Sequence, residues 1–475
     1  MPCTSRVSPP AGEQHLASNA DSRPKLLHGA EGATIRSLMI PMLLGMIAMI
    51  AYNLADVYFV SRLGTRELAA ISFTYPVVFF IGAITVGFGH GTSSVCSRLY
   101  GANRTDDVGR VTVHAILLAL LTSITLVAIG IATIDPLFRM LGADDTTLPV
   151  IHEYMRIYYL GVAFNVGPLI ANPVLRASGD AKTPARIMML AAAMNIVLDP
   201  ILIFGLLGVP RLGMQGAALA TVIANGCTMV VSFVALYSRA NVVFPRTPAL
   251  GLLMDSWRRI LHVGIPSMTS TAIAPVTTAF ITYQVSQFGQ AAVAGFGVAS
   301  RIESLSLLVL MALGTAVTPF VGQNFGAGRM DRVRKGVTWC QQFSVGYGLL
   351  VALALLVAAP WIVAAFTSNE TATATALLHL RIVPISYFAI GFALAASNSF
   401  NAIGRPLPAM VIAMTRTILV YAPLAYLLAW LFGLIGVFVA ASIANLLAGV
   451  IGFIWYRRMF AAGGLLGGSQ PSTTR

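Results

Sequence analysis

Apolar runs long enough to cross a lipid bilayer recur from residue 34 to residue 457 of this sequence. A helix rising about 1.5 Å per residue needs roughly 20 residues to traverse a hydrocarbon layer ~30 Å thick. No water is present there to bond spare backbone groups, so only helices and closed barrels can span, and runs of this length are helical. Charge is correspondingly scarce, at 10% of residues against 57% hydrophobic and a mean hydropathy of +0.80, where a soluble domain carries about 25% charged residues. The chain therefore reads as an all-α integral membrane protein with twelve transmembrane helices. Its net charge of +13 does not point to nucleic acid, because most of the 30 Lys and Arg residues cluster beside span ends. Such clusters are Arg98/Arg104/Arg110, Arg176/Lys182/Arg186 and Arg329/Arg332/Arg334/Lys335, while Asp135, Asp144, Asp145 and Glu153 gather at the opposite ends. Basic loops stay in the cytoplasm, which places both termini there, in the inner membrane of a bacterium. The four cysteines (Cys3, Cys96, Cys227, Cys340) have neither metal-ligand nor redox spacing.

The sequence repeats itself. Ile40-Pro41 recurs as Ile265-Pro266, Gly101-Ala-Asn-Arg104-Thr-Asp106 as Gly326-Ala-Gly-Arg329-Met-Asp331, and Ala177-Ser-Gly179 as Ala402-Ile-Gly404, all at an offset of 225 residues. Further on the offset drifts, so that Pro200 answers Pro423. Six spans therefore make one unit, used twice. An even number of spans per unit makes the copies enter the membrane the same way, related by an axis along the membrane normal. The expected division is a disordered cytoplasmic tail over 1–33, an N-lobe over 34–238 and a cytoplasmic linker over 239–257. A C-lobe over 258–457 and a C-terminal tail over 458–475 complete it.

Duplication separates fold from function. Features common to both copies serve the scaffold, and features confined to one are candidates for a site. The polar residues that the copies do not share lie in the first. Asp56 answers Ile281, Asn195 and Asp199 answer Ile418 and Ala422, Thr221 answers Ala441, and Asn172 answers Ser397. Asn195 and Asp199 lie four apart on one helical face, and Pro200 cannot donate to the carbonyl of Ile196, which is left available. Carboxylates inside a membrane are costly and face an interior or a watery cavity. Two carboxylates with amide, hydroxyl and backbone oxygens, and no His or Cys, suit Na⁺ or protons better than a transition metal. Met39, Met42, Met46, Met49, Asn53 and Asp56 recur at alternating steps of three and four along the first span, a stripe that suits an adaptable substrate surface. Pro41 near the start of that span is a candidate hinge. Arg301 and Glu303 read as a rim ion pair, and the spans leave no Lys or Arg near the midplane.

The Pro41-to-Asp56 helix, the Asn195-x-x-x-Asp199-Pro200 segment, the Gly216-Ala-Ala-x-Ala-Thr221 start of the sixth span and the doubled Gly-Ala-x-Arg loops resemble the multidrug and toxic compound extrusion (MATE) transporters over about residues 33–460. The resemblance implies two six-helix bundles around a V-shaped cavity and export of amphipathic, often cationic, organic compounds by H⁺ or Na⁺ antiport. It carries the cation-site roles onto Asp56, Asn195, Asp199 and Thr221, with Asn172 nearby and Ala217 as a backbone-oxygen ligand. The seventh span has no acid, only Tyr283 and Gln284, which favours the DinF-like branch that couples through the N-lobe. Met46, Met49, Asn53, Tyr283 and Gln284 are the candidate substrate contacts. No cofactor, nucleic acid or enzymatic activity is expected, and the protein should act as a monomer in the bilayer. Two rivals are a lipid-linked sugar flippase, which needs deep cationic residues for pyrophosphate, and an intramembrane aspartyl protease built on Asp56 and Asp199.

Overall fold

The computed structural model describes residues 25–240 and 250–460, and among these there is no strand. The helical runs are α1 (Glu31–Ser61), α2 (Thr65–Gly101), α3 (Thr105–Ala132), α4 (Leu148–Ala177), α5 (Lys182–Phe204) and α6 (Met214–Arg239) in the first bundle. The second bundle repeats them as α7 (Leu253–Ser286), α8 (Gln290–Gly326), α9 (Met330–Ala364), α10 (Glu370–Ala402), α11 (Leu407–Phe432) and α12 (Leu434–Phe460). Eleven of these are long and apolar enough to cross a membrane. The twelfth, α7, has the length at 34 residues, but serine and threonine lower its hydropathy. Those hydroxyls are spent within the helix. Thr269, Ser270, Thr271, Thr277, Thr278 and Thr282 each donate to the carbonyl four residues back, which hides them from an apolar surrounding.

The repeat is visible in the backbone. The turn after α2 needs a left-handed residue at Asn103 (φ 57°), and its twin after α8 needs one at Gly328 (φ 72°). Gly179 (φ 97°) and Gly404 (φ 77°) mark the matching turns after α4 and α10. Asn and Gly are the residues that take this conformation readily, so the two loops solve one geometric problem alike.

The bundles meet at one end of the molecule, the end bearing the basic loops. Every hydrogen bond between them among the described residues lies there. Ser94 donates to the carbonyl of Asn401, Arg98 to that of Ile403, and Gln323 to that of Ala177, while the His114 ring bonds the Ser256 hydroxyl. The seam itself is pseudo-symmetric, since Gly101 of α2 lies on the carbonyl of Gln323 and its twin Gly326 of α8 lies on the carbonyl of Arg98. Toward the opposite, acidic end the bundles part, and large side chains such as Leu54, Tyr75, Val276 and Tyr283 are exposed. At that end Asp144 accepts from the amide of Thr147 and the hydroxyl of Thr146, and these bonds hold its carboxyl down at about 2.

Three expectations need adjustment. Of the tail over 1–33, residues 1–24 lie outside the described residues, but Lys25–Leu27 forms a turn of 3₁₀ helix docked on the second bundle, and α1 already begins at Glu31. Leu26 and Leu27 are buried, and the backbone of 26–29 is held by Gln323, Asn324, Arg329 and Arg332. The linker over 239–257 and the tail over 458–475 fall partly outside as well, at 241–249 and 461–475. Of the linker's described part, residues 253–257 belong to α7. Finally, the basic half of α1 does not belong to the first bundle alone. Ile35, Leu38, Met39 and Met42 are buried in a core shared with α8, α9 and α10.

Candidate functional site

The site forms where α1, α5 and α6 converge near the acidic end. Gly45 lets α1 lie close along α5, because a Cβ there would stand only 3.3 Å from the Cα of Ala185. Gly45, Tyr52 and Asp56 follow at steps of seven and four, so one face of α1 looks onto α5. The methionine stripe does not stay on that face. From Met39 to Asp56 the steps average less than 3.6 residues, so the stripe lags by about 100° around the helix. It begins buried against the second bundle at Met39 and Met42, passes Met46 packed on the same core, and ends in the first bundle at Asp56. Asn53 is left exposed, its amide donating back to the Met49 carbonyl at 2.7 Å.

Asp56, Asn195, Asp199, Thr221 and Ala217 are all buried, Asp199 completely at 0% exposure. Measured along their helices, Asp56 and Asp199 each lie about 8 Å from the acidic-end terminus and Thr221 about 10 Å, so their levels agree. Thr221 Oγ1 donates to Ala217 O at 3.3 Å and reaches Asn195 Oδ1 at 3.5 Å. Asp56 and Asp199 are electrostatic neighbours. One carboxylate oxygen of Asp56 and both of Asp199 are occluded and have no hydrogen-bond partner. Buried acceptors are almost always paired, so three such oxygens together describe a cradle for something positive. A proton or a Na⁺ fits this donor set of carboxylate, amide, hydroxyl and backbone oxygens. Among the described residues no group of three or more His, Cys, Asp or Glu could hold a metal ion, so the set offers only these hard oxygens.

Two tyrosines neighbour the carboxylates and a third stacks on one of them, and sequence reasoning missed all three. Tyr52 and Tyr154 stand within electrostatic reach of both carboxylates, and Tyr158 stacks on Tyr154 with ring centroids 5.8 Å apart. Their one signal was spacing: Tyr52 precedes Asp56 by one turn, and Tyr154 precedes Tyr158 likewise. Asn172 is not brought to this group. It sits about 8 Å from the basic-end terminus of α4, with its buried Oδ1 unpaired and no bond to Asp56 or Asp199. Pro41 lies inside α1, which runs on as one helix of 31 residues, and its missing amide leaves the Ser37 carbonyl without that bond. Tyr283 is exposed at the acidic end of α7, whereas Gln284 turns into the bundle, being adjacent and about 100° around the helix.

The twin of this site in the second bundle is packed shut. Ile281 and Ala441 pack against Tyr421, Ala425, Ala440 and Ala444. Polar groups appear deeper instead. Arg301 and Glu303 do not pair; Glu303 bonds the His379 ring at 3.0 Å, and among the described residues Arg301 has no ion pair. The midplane also holds a cation after all. Arg416 lies well inside α11, half-buried, about 14 Å from its start at Leu407.

The α5–α6 contact that sets Thr221 against Asn195 depends on Gly216, where a Cβ would lie 2.5 Å from the Leu202 carbonyl oxygen. Gly216→Val is expected to destabilise the protein by about 1–3 kcal/mol, as overpacking does. Thermal unfolding in detergent reads the loss, and an unchanged Tm would show that the two helices can part here without cost.

The MatE family model matches residues 41–201 and again 266–427. Over 426 residues the sequence is 34% identical to a "FAD transporter" of Shewanella oneidensis, covering 90% of this chain and 94% of that one. It is 25% identical to the "Multidrug export protein MepA" of Staphylococcus aureus over 410 residues, 86% and 89% of the two chains. The fold is similar to the Vibrio cholerae MATE transporter VcmN in the bent form, with a TM-score of 0.86 at 29% identity over 93% of this chain and 98% of that one. It is similar also to an outward-facing multidrug resistance MATE transporter, with a TM-score of 0.85 at 29% identity and the same coverages.

Proposed function

The chain belongs to the MatE family of transporters, and from that premise we propose that it is a secondary antiporter exporting amphipathic organic molecules against entry of H⁺ or Na⁺. Members of this family move their substrates across the membrane and are not enzymes, which sets the protease aside. The observation that carries the reading is the trio of unpaired carboxylate oxygens on Asp56 and Asp199. Coupling then runs through the first bundle alone, in the DinF-like manner, because the twin position is filled by apolar side chains.

The basic end faces the cytoplasm, so the conformation described here is closed inside and parted outside. An ion arriving from outside enters the cradle between α1 and α5 and neutralises charge that is otherwise unpaired. Tyr52 and Tyr154 stand beside both carboxylates, within electrostatic reach. A bound ion drives a conformational change only as far as it binds one state better than the other. The movable part is α1, hinged at Pro41, whose basic half belongs to the second bundle's core and whose acidic half carries Asp56. Tightening α1 on α5 narrows the cavity beside Met46, Met49 and Asn53 and favours release of the substrate. Tyr283 lines the exit, and the cycle needs no resident cofactor. The relatives' printed activities, multidrug export and FAD transport, together bring bulky amphipathic molecules into range as cargo.

Purified protein in liposomes, loaded with substrate and given separate pH and sodium gradients, tests the proposal. Efflux should follow one gradient and vanish when it collapses. Efflux indifferent to both gradients would refute antiport.

A further inference from the structure

We propose that Arg416 is an anion-binding point on the substrate path, so that the molecules exported carry a phosphate or carboxylate on an apolar body. This rests on the exporter reading above and names the charge class of its cargo.

A guanidinium inside a bilayer is expensive, and one that persists there faces a protein interior or water and usually has work to do. Among the described residues Arg416 makes no hydrogen bond and no ion pair. The acid within its electrostatic reach is Glu303, whose carboxylate is bonded to the His379 ring at 3.0 Å. His379 is itself wedged between the rings of Phe296 and Phe438, which fixes Glu303 on that side. Glu303 lies about 20 Å from the acidic end of α8 and Arg416 about 24 Å from that of α11, so the two share a level near the middle of the membrane. Arg301, exposed and two residues before Glu303 on α8, adds a second positive charge beside that one carboxylate.

The backbone at this point is unusual as well. Thr415–Tyr421 is a π-helical turn, a rare conformation that occurs mainly at functional sites. Pro423 follows it and supplies no amide, so the preceding carbonyls pair one residue farther along. The turn is fastened on one flank, where the Thr417 hydroxyl bonds that of Thr277 at 3.0 Å and Tyr421 packs edge-on against Phe280. Arg416, on a different face, is left without such an anchor. The internal repeat points the same way, because Arg416 answers Ala193 in the first bundle and the scaffold therefore does not need it.

Chemistry selects the ligand. A guanidinium offers five donors in a planar fork that matches the paired oxygens of a phosphate or carboxylate, and in a cavity of low dielectric such charge-assisted bonds are strong. The ion cradle and this point lie in different bundles, so cargo and ion need not compete for the same atoms.

The test uses two molecules that share a ring system and differ by one phosphate, riboflavin and riboflavin 5′-phosphate, with ethidium as a cationic comparison. Full-length wild type, Arg416→Gln and Arg416→Lys are compared in liposomes of zwitterionic lipid, with and without phosphatidylglycerol. The wild type should prefer the phosphate over riboflavin. Arg416→Gln should raise its KM roughly 10- to 100-fold and erase the preference, and Arg416→Lys, which keeps charge but loses the fork, should fall between. A wild type that moves ethidium along the gradient but not the phosphate overturns the anion assignment and leaves the exporter standing. The same holds if the preference survives in Arg416→Gln. A wild type that moves none of the three defeats the exporter reading itself. Inhibition of the wild type by phosphatidylglycerol that is relieved in Arg416→Gln would give the arginine to a lipid headgroup and overturn the substrate claim.

Discussion

Asp199→Asn is expected to lower gradient-driven efflux by roughly 100-fold or more, the size that follows when charge-assisted bonds worth about 3 kcal/mol are lost. Asp56→Asn should do nearly the same. Asparagine keeps the shape of the side chain but can neither take up a proton in the cycle nor offer Na⁺ a full negative charge. Both carboxylates are buried with oxygens that no donor satisfies, so the native protein bears the expense of desolvated charge. The variants should therefore fold, with a Tm equal to or above that of wild type, as is common when strained functional groups are replaced. Together, lost coupling and retained stability distinguish this role from a structural one. ²²Na⁺ binding and proton release by the solubilised protein report the cradle without any transport step. Efflux that keeps its rate and its gradient dependence in both variants would refute the assignment.

The parts of this site that the sequence disclosed were those written in local spacing. Asn195 and Asp199 share a face by being four apart, Pro200 frees a carbonyl by chemistry alone, and comparison of the two copies exposed Asp56 and Thr221 as unshared. The turns at Asn103 and Gly328 were legible for the same reason, since a left-handed position restricts which residues can stand there. What escaped depended on distant geometry. The methionine stripe reads as one face because its small angular lag accumulates only over the length of the helix. Glu303 and His379 stand 76 positions apart, whereas Arg301 is two away and is the partner that local spacing offers. Arg416 stands ten residues into the eleventh apolar run in the sequence as well, so its place near the midplane was legible there and was passed over. The docking of Leu26 and Leu27 was hidden for another reason. Gln323, Asn324, Arg329 and Arg332 hold backbone carbonyls and amides there, which every residue possesses.

Gly101→Ala should open the basic end. The Cβ added at Gly101 would lie well inside contact distance of the Gln323 carbonyl oxygen, and the one added at Gly326 equally so against Arg98. Backbone, not a flexible side chain, is in the way, so the bundles must separate to admit a single methyl. That penalty falls only on the conformation in which this seam is closed. An overpacking cost of about 3 kcal/mol would shift the balance between the two conformations by roughly 100-fold toward the state open at the basic end. Gly326→Ala should act likewise, because the seam is pseudo-symmetric. The double variant should add less than the sum, since one separation relieves both clashes. Gly346→Ala, where an added Cβ meets nothing within 4 Å, is the control. The readout is a cysteine placed at Ser97, on the seam, in a background freed of Cys3, Cys96, Cys227 and Cys340. Its labelling by an impermeant maleimide from the basic side should rise about tenfold or more in either glycine variant, while efflux falls. Labelling that stays at the control level in a folded variant would mean that the seam yields without parting, and that closure of the basic end is set elsewhere.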